Sequence, residues 1–302
     1  MSVALRGFLA TLIFALLLFL VEHFFGWSEV LAQWSVIDPS QLLLLTLLTL
    51  ASYVLRAERV YRYFGERAGH PRRAYLKISF LHNALNNFLP MRLGEAAFPL
   101  LMKRHFQHSV LSSSAGLVWI RLMDLHVLLL LAAIALGALL PTVAYVALAG
   151  LILLPILVGL GRKSLVAQLP PRFQQKLIEL SHLLPHSRAL IIATYLQTLL
   201  IWIIKLAALS LVLQAFLAID FVGAWVAVTS ADISGVLPIH GIAGSGTYEA
   251  AMLGALIPLG FDLEPALSAA INLHIYLLGV SALSVPLALL IPDAKAALRG
   301  DP

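Results

Sequence analysis

The chain contains no cysteine, and only 12% of its 302 residues are charged. The absence of cysteine excludes disulfides, thiol nucleophiles and metal sites built on cysteine thiolates. Hydrophobic residues make up 61% of the chain and its mean hydropathy is +0.93, whereas soluble domains are roughly 45–50% apolar. The composition therefore predicts an integral membrane protein.

The apolar stretches are long and rich in Leu, Ala and Val, which favours a helical bundle over a β-barrel. The first stretch, Phe8 to Val21, continues into Glu22 without a small-residue cleavage site. We therefore interpret it as a retained helix and not as a signal peptide. The predicted fold class is an all-α polytopic membrane protein, with residues 1–302 forming a single integral membrane domain.

The charges alternate in sign from one loop to the next. Lys and Arg cluster in some loops, and Arg56 and Arg59 are assigned to the largest such cluster, whereas other loops carry only acids such as Asp220 and Asp262. Basic loops lie on the cytoplasmic side of membrane proteins, so both termini are predicted to be cytoplasmic. The pI of about 9.6 then reflects membrane topology, and we expect no nucleic-acid partner.

Two apolar stretches are interrupted by short polar motifs with a common order: Leu-Pro, then glycine, then glutamate. The first motif spans residues 86–95 and the second spans residues 237–249. In a lipid-facing helix, proline and glycine expose backbone groups that hydrocarbon cannot satisfy, and an ionised side chain costs roughly 3 kcal/mol or more. The motifs are therefore predicted to line a shared polar cavity, the position of many transporter binding sites.

The flanking charges indicate how the interrupted segments enter the membrane. Lys77 and Lys103 place both ends of residues 74–104 inside, whereas Asp220 and Asp262 place both ends of residues 221–260 outside. We predict two re-entrant helical hairpins in an inverted repeat with halves of about 1–140 and 141–302. About six transmembrane helices complete it, near residues 4–25, 38–63, 109–139, 142–160, 189–216 and 265–291. Kinked spans remain the alternative.

Ionisable residues remain inside the bilayer once the loops are assigned. They are the bases Arg92, Arg121 and Lys205 and the acids Glu95, Asp124, Asp232 and Glu249. Structural ion pairing and a substrate or proton path are both open interpretations. Proton coupling is assigned to the candidates Glu95, Asp124, Asp232, His240 and Glu249; His82, His126 and His274 are further histidines that could titrate near neutral pH.

Arg92 at the first hairpin tip is the strongest candidate for binding an anion. Its planar guanidinium matches phosphate oxygens, and helix N-termini after the two breaks add N–H donors. The predicted substrate-binding residues are Asn86, Asn87, Arg92, Glu95, Arg121, Asp124, His240, Gly244, Gly246 and Glu249.

Other chemistry has little support in the sequence. The histidines are scattered and no HExxH motif occurs, so we expect no metal. The Gly-Ser-Gly around Ser245 lacks the strand of a hydrolase elbow, so we expect no catalytic residue and no cofactor. Residues 112–116 are predicted to support close helix packing. The tryptophans are predicted to face lipid or anchor at the interface: Trp27, Trp34, Trp119, Trp202 and Trp225.

The order and spacing of the motifs resemble the lysylphosphatidylglycerol synthase transmembrane, or flippase-like, family of prokaryotic membrane proteins. The matching residues are Asn86-Asn87, Pro90-x-Arg92-x-Gly94-Glu95, Arg121-x-x-Asp124, and Pro238 through the glycines to Glu249. The resemblance implies a multi-pass protein of the bacterial cytoplasmic (inner) membrane that moves lipids between leaflets. No aminoacyl-transferase sequence follows Pro292, so we expect no synthase activity and no enzyme.

The expected function is a flippase for an anionic, phosphate-containing lipid or a polyprenyl-phosphate-linked intermediate, with proton coupling left open. The expected partner is the anionic headgroup of a membrane lipid, and a homo-oligomer is left open. Ile120 and Tyr248 stand where many members of the family carry an acid and a base, so the headgroup is not set. The alternatives are a transporter of a small soluble anion, and an accessory subunit or enzyme of lipid-linked glycan metabolism.

Overall fold

The computed structural model describes residues 19, 22–23, 26–66, 68–89, 93–168, 170–175, 187–235 and 242–292. Regular structure in these ranges is helical, and no strand occurs in them, so the predicted all-α class is confirmed. The predicted first helix, near residues 4–25, falls almost entirely outside the described residues. The helices are α1 Trp27–Ala32, α2 Pro39–Phe64, α3 Arg72–Phe88, α4 Leu93–Phe106, α5 Val110–Leu136, α6 Pro141–Ala167, α7 Arg188–Phe216, α8 Phe221–Ser234, α9 Thr247–Leu256 and α10 Leu263–Leu289.

Four of these helices, α2, α5, α7 and α10, are long and apolar enough to cross a membrane. They coincide with four of the predicted crossings. Their starts follow from local chemistry: at α2, the Asp38 carboxylate accepts from the backbone N–H groups of Ser40 and Gln41, and Pro39 occupies the first turn. Helix α6 extends beyond its predicted end near residue 160, so Arg162 and Lys163 are helical and do not lie in a loop. The number of crossings stays a prediction.

The first interrupted stretch forms two antiparallel helices. At the break, Gly94 of α4 lies against the backbone of Asn86 in α3. At the opposite end, the rings of Tyr75 and Phe106 stack with centroids 4.1 Å apart. The 17 residues of α3 span about 25 Å, less than the roughly 30 Å of a bilayer core. This geometry agrees with a hairpin, and its re-entry from one membrane face stays a prediction.

The second interrupted stretch forms a shorter pair, α8 and α9. The two helices pack together, and Ser230 donates a hydrogen bond to the Ala251 carbonyl at 2.7 Å. Residues 242–244 form a 3-10 turn before α9, and this turn packs on α3 of the first pair. The two interruptions therefore meet inside the protein.

The order of elements repeats along the chain. A long helix, an interrupted pair and another long helix occur as α2, α3–α4, α5 and again as α7, α8–α9, α10. Helices α2 and α7 pack against each other at the centre, and α3 packs on α10. This repetition agrees with two halves of similar design, whose opposite orientation stays a prediction.

Candidate functional site

A cavity of about 120 Å³ lies where the two interruptions meet. Its wall includes Asn86 and Asn87 from the first motif and Ala243 and Gly244 from the second. Helices α2, α5, α7, α8 and α10 complete it with polar and charged side chains, namely Tyr53, Arg56, Arg59, Arg121, Lys205, Asp232 and His274. The residues around this cavity form the candidate site.

Asp124 of α5 is the centre of a buried ion-pair network. Its carboxylate is fully buried and accepts two hydrogen bonds from Arg59 of α2, at 2.7 and 3.3 Å. Arg59 is only 2% exposed, and its Nη1 also donates to the Thr198 hydroxyl at 2.7 Å. Burial of two charges is tolerated because each satisfies the other in this forked geometry.

Arg121 joins the first motif to this network. One nitrogen donates to Asp124 Oδ2 at 3.2 Å, across one helical turn of α5, and another lies 2.6 Å from Glu95 Oε1 of α4. His82 Nε2 lies 3.9 Å from the second oxygen of Glu95. Arg121 therefore binds both Asp124 of its own helix and Glu95 of the first motif.

Trp202 of α7 supplies the last donor to Asp124. Its indole N–H donates to Asp124 Oδ1 at 2.9 Å, and the side chain is 3% exposed. The ring carries Arg56 at 4.6 Å from its centroid and Lys205 at 5.0 Å. The prediction that Trp202 faces lipid or anchors at the interface is therefore wrong, because it holds three charged groups of the site together.

Arg56 differs from the other cations of the site. Its guanidinium lines the cavity, and its buried Nε and Nη2 have no hydrogen-bond partner in the described part of the protein. By contrast, Lys205 Nζ donates to Asp232 Oδ1 at 2.6 Å, and Arg59 and Arg121 share Asp124. The charges of Arg56, Arg59, Arg121 and Lys205 are set against those of Glu95, Asp124 and Asp232. Among these residues, Arg56 is the cation without a carboxylate of its own.

The second interruption is held by Glu249 and His274. Glu249 accepts from the Gly246 N–H at 2.7 Å and lies 2.6 Å from His274 Nδ1. His274 Nε2 lies 2.9 Å from the carbonyl of Ala243, whose φ of 53° is unusual for a residue with a side chain. Because a carbonyl only accepts, Nε2 is the donor in this contact. His274 therefore holds together the turn at Ala243 and the start of α9.

The predicted residues divide into three groups in the structure. Asn86, Asn87, Arg121 and Gly244 line the cavity. Glu95, Asp124, Asp232 and Glu249 each bind a cationic or histidine partner of the site, and exposed Gly246 begins α9. Arg92 and His240 lie outside the described residues.

Sequence reasoning missed Arg56, Arg59 and Trp202. Arg56 and Arg59 were assigned to the cytoplasmic basic loop, but both belong to α2. Counting from Pro39 at about 1.5 Å per residue places Arg56 within the roughly 30 Å of a bilayer core, and this signal was present in the sequence. His126 takes a structural role, since its ring nitrogens lie 2.7 Å from the Tyr195 hydroxyl and 3.0 Å from the Leu151 carbonyl.

Comparison with known families places this geometry in context. Residues 7–284 match the family described as the lysylphosphatidylglycerol synthase TM region. The chain belongs to this family. The predicted resemblance is thus confirmed, and lysylphosphatidylglycerol synthase TM membership indicates a membrane protein of lipid metabolism or transport. A search of curated proteins finds no match to the chain. Within the described ranges, no group of three or more His, Asp or Glu is arranged to hold a metal ion.

Proposed function

We propose that the protein moves a phosphate-containing anionic lipid between the leaflets of a membrane. The observation that carries this proposal is Arg56, a cation inside the protein whose Nε and Nη2 have no hydrogen-bond partner among the described residues. A guanidinium fork matches two phosphate oxygens, and the neighbouring cations keep the potential of the cavity positive. One phosphodiester would neutralise the charge that no carboxylate of the described site neutralises.

The interrupted hairpins give the headgroup a place at membrane depth. Polar backbone in a membrane is tolerated where it lines a cavity, and the break residues Asn86, Asn87 and Gly244 do so here. In this proposal the two hairpins are re-entrant and the acyl or prenyl tail stays in lipid. Only the headgroup then needs shielding, which suits a cavity of about 120 Å³. Transport of this kind requires no covalent step.

Asp124, Glu95 and Glu249 have positioning roles in this proposal. Asp124 accepts four hydrogen bonds from Arg59, Arg121 and Trp202, so its carboxylate fixes the cations instead of carrying protons. Glu249 and His274 lie 2.6 Å apart at the second break, and in this proposal they are the better pair for proton coupling.

Leaflet exchange in reconstituted vesicles tests the proposal. Phosphatidylglycerol with a fluorescent tail is placed in both leaflets, and a membrane-impermeant reductant reports how fast the inner pool reaches the outer leaflet. The wild-type protein should accelerate exchange over empty vesicles. Arg56→Gln should slow it at least about tenfold, because hydrogen bonds to a charged group contribute roughly 1.5–3 kcal/mol. Arg56→Gln leaves no carboxylate unpaired, so folding should be retained.

Arg72→Gln is the matched control. Arg72 is the first residue of α3, and it is 68% exposed, pairs with Glu58 at 3.7 Å and lies outside the cavity. Its exchange rate should equal that of the wild type. Wild-type exchange no faster than in empty vesicles contradicts the proposal, as does full activity of Arg56→Gln. Uptake of glycerol phosphate without lipid exchange would instead support the soluble-anion transporter.

A further inference from the structure

The cavity wall concentrates buried polar atoms that have no hydrogen-bond partner within the described protein. They are Arg56 Nε and Nη2, Arg59 Nε, Ser79 Oγ, Asn83 Nδ2, Asn86 Oδ1, Arg121 Nε, Asp232 Oδ2 and the Tyr248 hydroxyl. Leaving such an atom unpaired costs about 1–3 kcal/mol, and native proteins keep few of them. Their collection on one wall indicates a surface shaped to hydrogen-bond a polar ligand.

These atoms include both donors and acceptors. The nitrogens of the three arginines and Asn83 only donate, the oxygens of Asn86 and Asp232 accept, and the hydroxyls of Ser79 and Tyr248 do both. A phosphodiester offers acceptors and satisfies only the donors. An ammonium offers donors and satisfies only the acceptors. A hydroxyl offers both, so a phosphate that carries hydroxyl groups matches the whole wall.

The carboxylates of the site argue against a cationic headgroup. Asp124 is bound by two arginines, Asp232 by Lys205 and Glu95 by Arg121. None of these three carboxylates is left to neutralise an ammonium. An amino group on the lipid would therefore enter a positively charged cavity without gaining an ion pair, which is unfavourable at low dielectric.

We infer that the headgroup is a polyol phosphate, meaning a phosphodiester that carries uncharged hydroxyl groups and no amine. The cavity of about 120 Å³ is several times larger than the roughly 10–15 Å³ needed to hold one water molecule, so it is roomier than a single-water site. Arg56 binds the phosphate, and Ser79, Asn83, Asn86 and Tyr248 bind the hydroxyls. This inference rests on the proposed lipid transport and names its substrate class.

Three fluorescent-tailed lipids separate the possibilities in the vesicle exchange assay. Phosphatidylglycerol carries the hydroxyls, phosphatidylpropanol has the same phosphodiester charge without them, and phosphatidylethanolamine replaces them by an ammonium. We expect phosphatidylglycerol to exchange at least about tenfold faster than either of the others, because a site built for hydroxyls disfavours analogues that lack them.

Two variants connect this selectivity to the wall. Tyr248→Phe and Ser79→Ala each remove one hydroxyl and should reduce the rate ratio of phosphatidylglycerol to phosphatidylpropanol by about three- to tenfold. Tyr63→Phe and Ser210→Ala are matched controls, because their hydroxyls are also buried without a partner among the described residues but lie outside the cavity. The control variants should keep the wild-type ratio.

The outcomes distinguish this inference from the proposed function. Equal exchange of phosphatidylglycerol and phosphatidylpropanol overturns the inference and leaves lipid transport standing. Faster exchange of phosphatidylethanolamine also overturns it. No acceleration of any lipid overturns both. The wild-type rate ratio decides between these outcomes without any variant, so a misfolded variant does not obscure the result.

Discussion

Gly94 lies directly against the backbone of Asn86, so the start of α4 packs on the last turns of α3 at the break between them. A Cβ atom at Gly94 would collide with the backbone nitrogen and Cα of Asn86. Backbone atoms cannot move aside as a flexible side chain can. The position of Asn86 on the cavity wall therefore depends on the absence of a side chain one residue before Glu95.

Gly94→Ala should destabilise the protein and slow lipid exchange together. Overpacking of this kind costs about 1–3 kcal/mol, and it moves α3 relative to α4. Unfolding by detergent titration and the exchange rate are the two measurements. Gly254→Ala in α9 is the control, because a Cβ atom there would meet no described residue outside the backbone of its own helix within 4 Å, and the substitution should be neutral or slightly stabilising. Wild-type stability of Gly94→Ala would contradict the close approach.

Asp124→Asn should be among the most destabilising single substitutions in the described helices. It leaves Arg59, which is 2% exposed, without its carboxylate, and loss of one partner from a buried ion pair costs about 3–5 kcal/mol. Glu58→Gln also removes an arginine partner, but Arg72 is 68% exposed, so the expected cost is at most about 1 kcal/mol. The thermal unfolding midpoints of the two purified variants measure the difference, and similar midpoints would argue against a structural role for Asp124.

The two interruptions could be found from the sequence because they violate a local rule. Proline, glycine and glutamate are costly within an apolar stretch, and this cost is visible without knowing any neighbour. The paired helices α3–α4 and α8–α9 are broken where those motifs lie. Their meeting at one cavity follows from the requirement that exposed backbone be satisfied.

The partners of the charges could not be found in the same way. The sequence shows that Asp124 is one turn from Arg121, but not that α2 and α7 bring Arg59 and Trp202 to it. The charge rule also misassigned Arg56 and Arg59 to a cytoplasmic loop. That rule counts basic residues near helix ends, so it cannot recognise an arginine whose side chain lies inside the protein. Which helices become neighbours is set by packing along their whole length.

Two histidines at the end of the α3–α4 pair opposite the break should make the stability of the protein depend on pH. His70 and His108 lie in the loops that flank α3 and α4, with ring centroids 5.7 Å apart. Burial lowers the pKa of His70 below its ordinary 6.5. Burial, and then the charge of His70, lower the pKa of His108 as well. The unfolded chain therefore binds protons more readily than the folded protein just below pH 6.5, and stability should fall as pH decreases through that range.

Unfolding midpoints between pH 7.5 and pH 5.5 measure this effect. The wild-type midpoint should be lower at pH 5.5, and replacing both histidines by glutamine should reduce the slope. His70 also contacts Tyr75 and Phe106. The double glutamine variant loses these contacts at every pH, so its midpoint is shifted by an amount that does not depend on pH. The comparison is therefore one of slopes and not of absolute midpoints. An unchanged slope would contradict the contribution of the pair.

Trp202→Phe should weaken transport more than it weakens folding. The substitution keeps an aromatic face beneath Arg56 and Lys205 but removes the N–H that donates to Asp124 at 2.9 Å. A hydrogen bond to a charged group contributes about 1.5–3 kcal/mol. Without it, the aromatic ring that contacts Arg56 is no longer fixed in position by Asp124. Exchange of phosphatidylglycerol should therefore slow about tenfold. Trp119→Phe is the matched control, because the buried Trp119 N–H has no hydrogen-bond partner in the described helices and loops, and its removal should leave the rate unchanged. Equal rates for the two variants would show that Trp202 acts through ring packing alone and that its bond to Asp124 does not position Arg56.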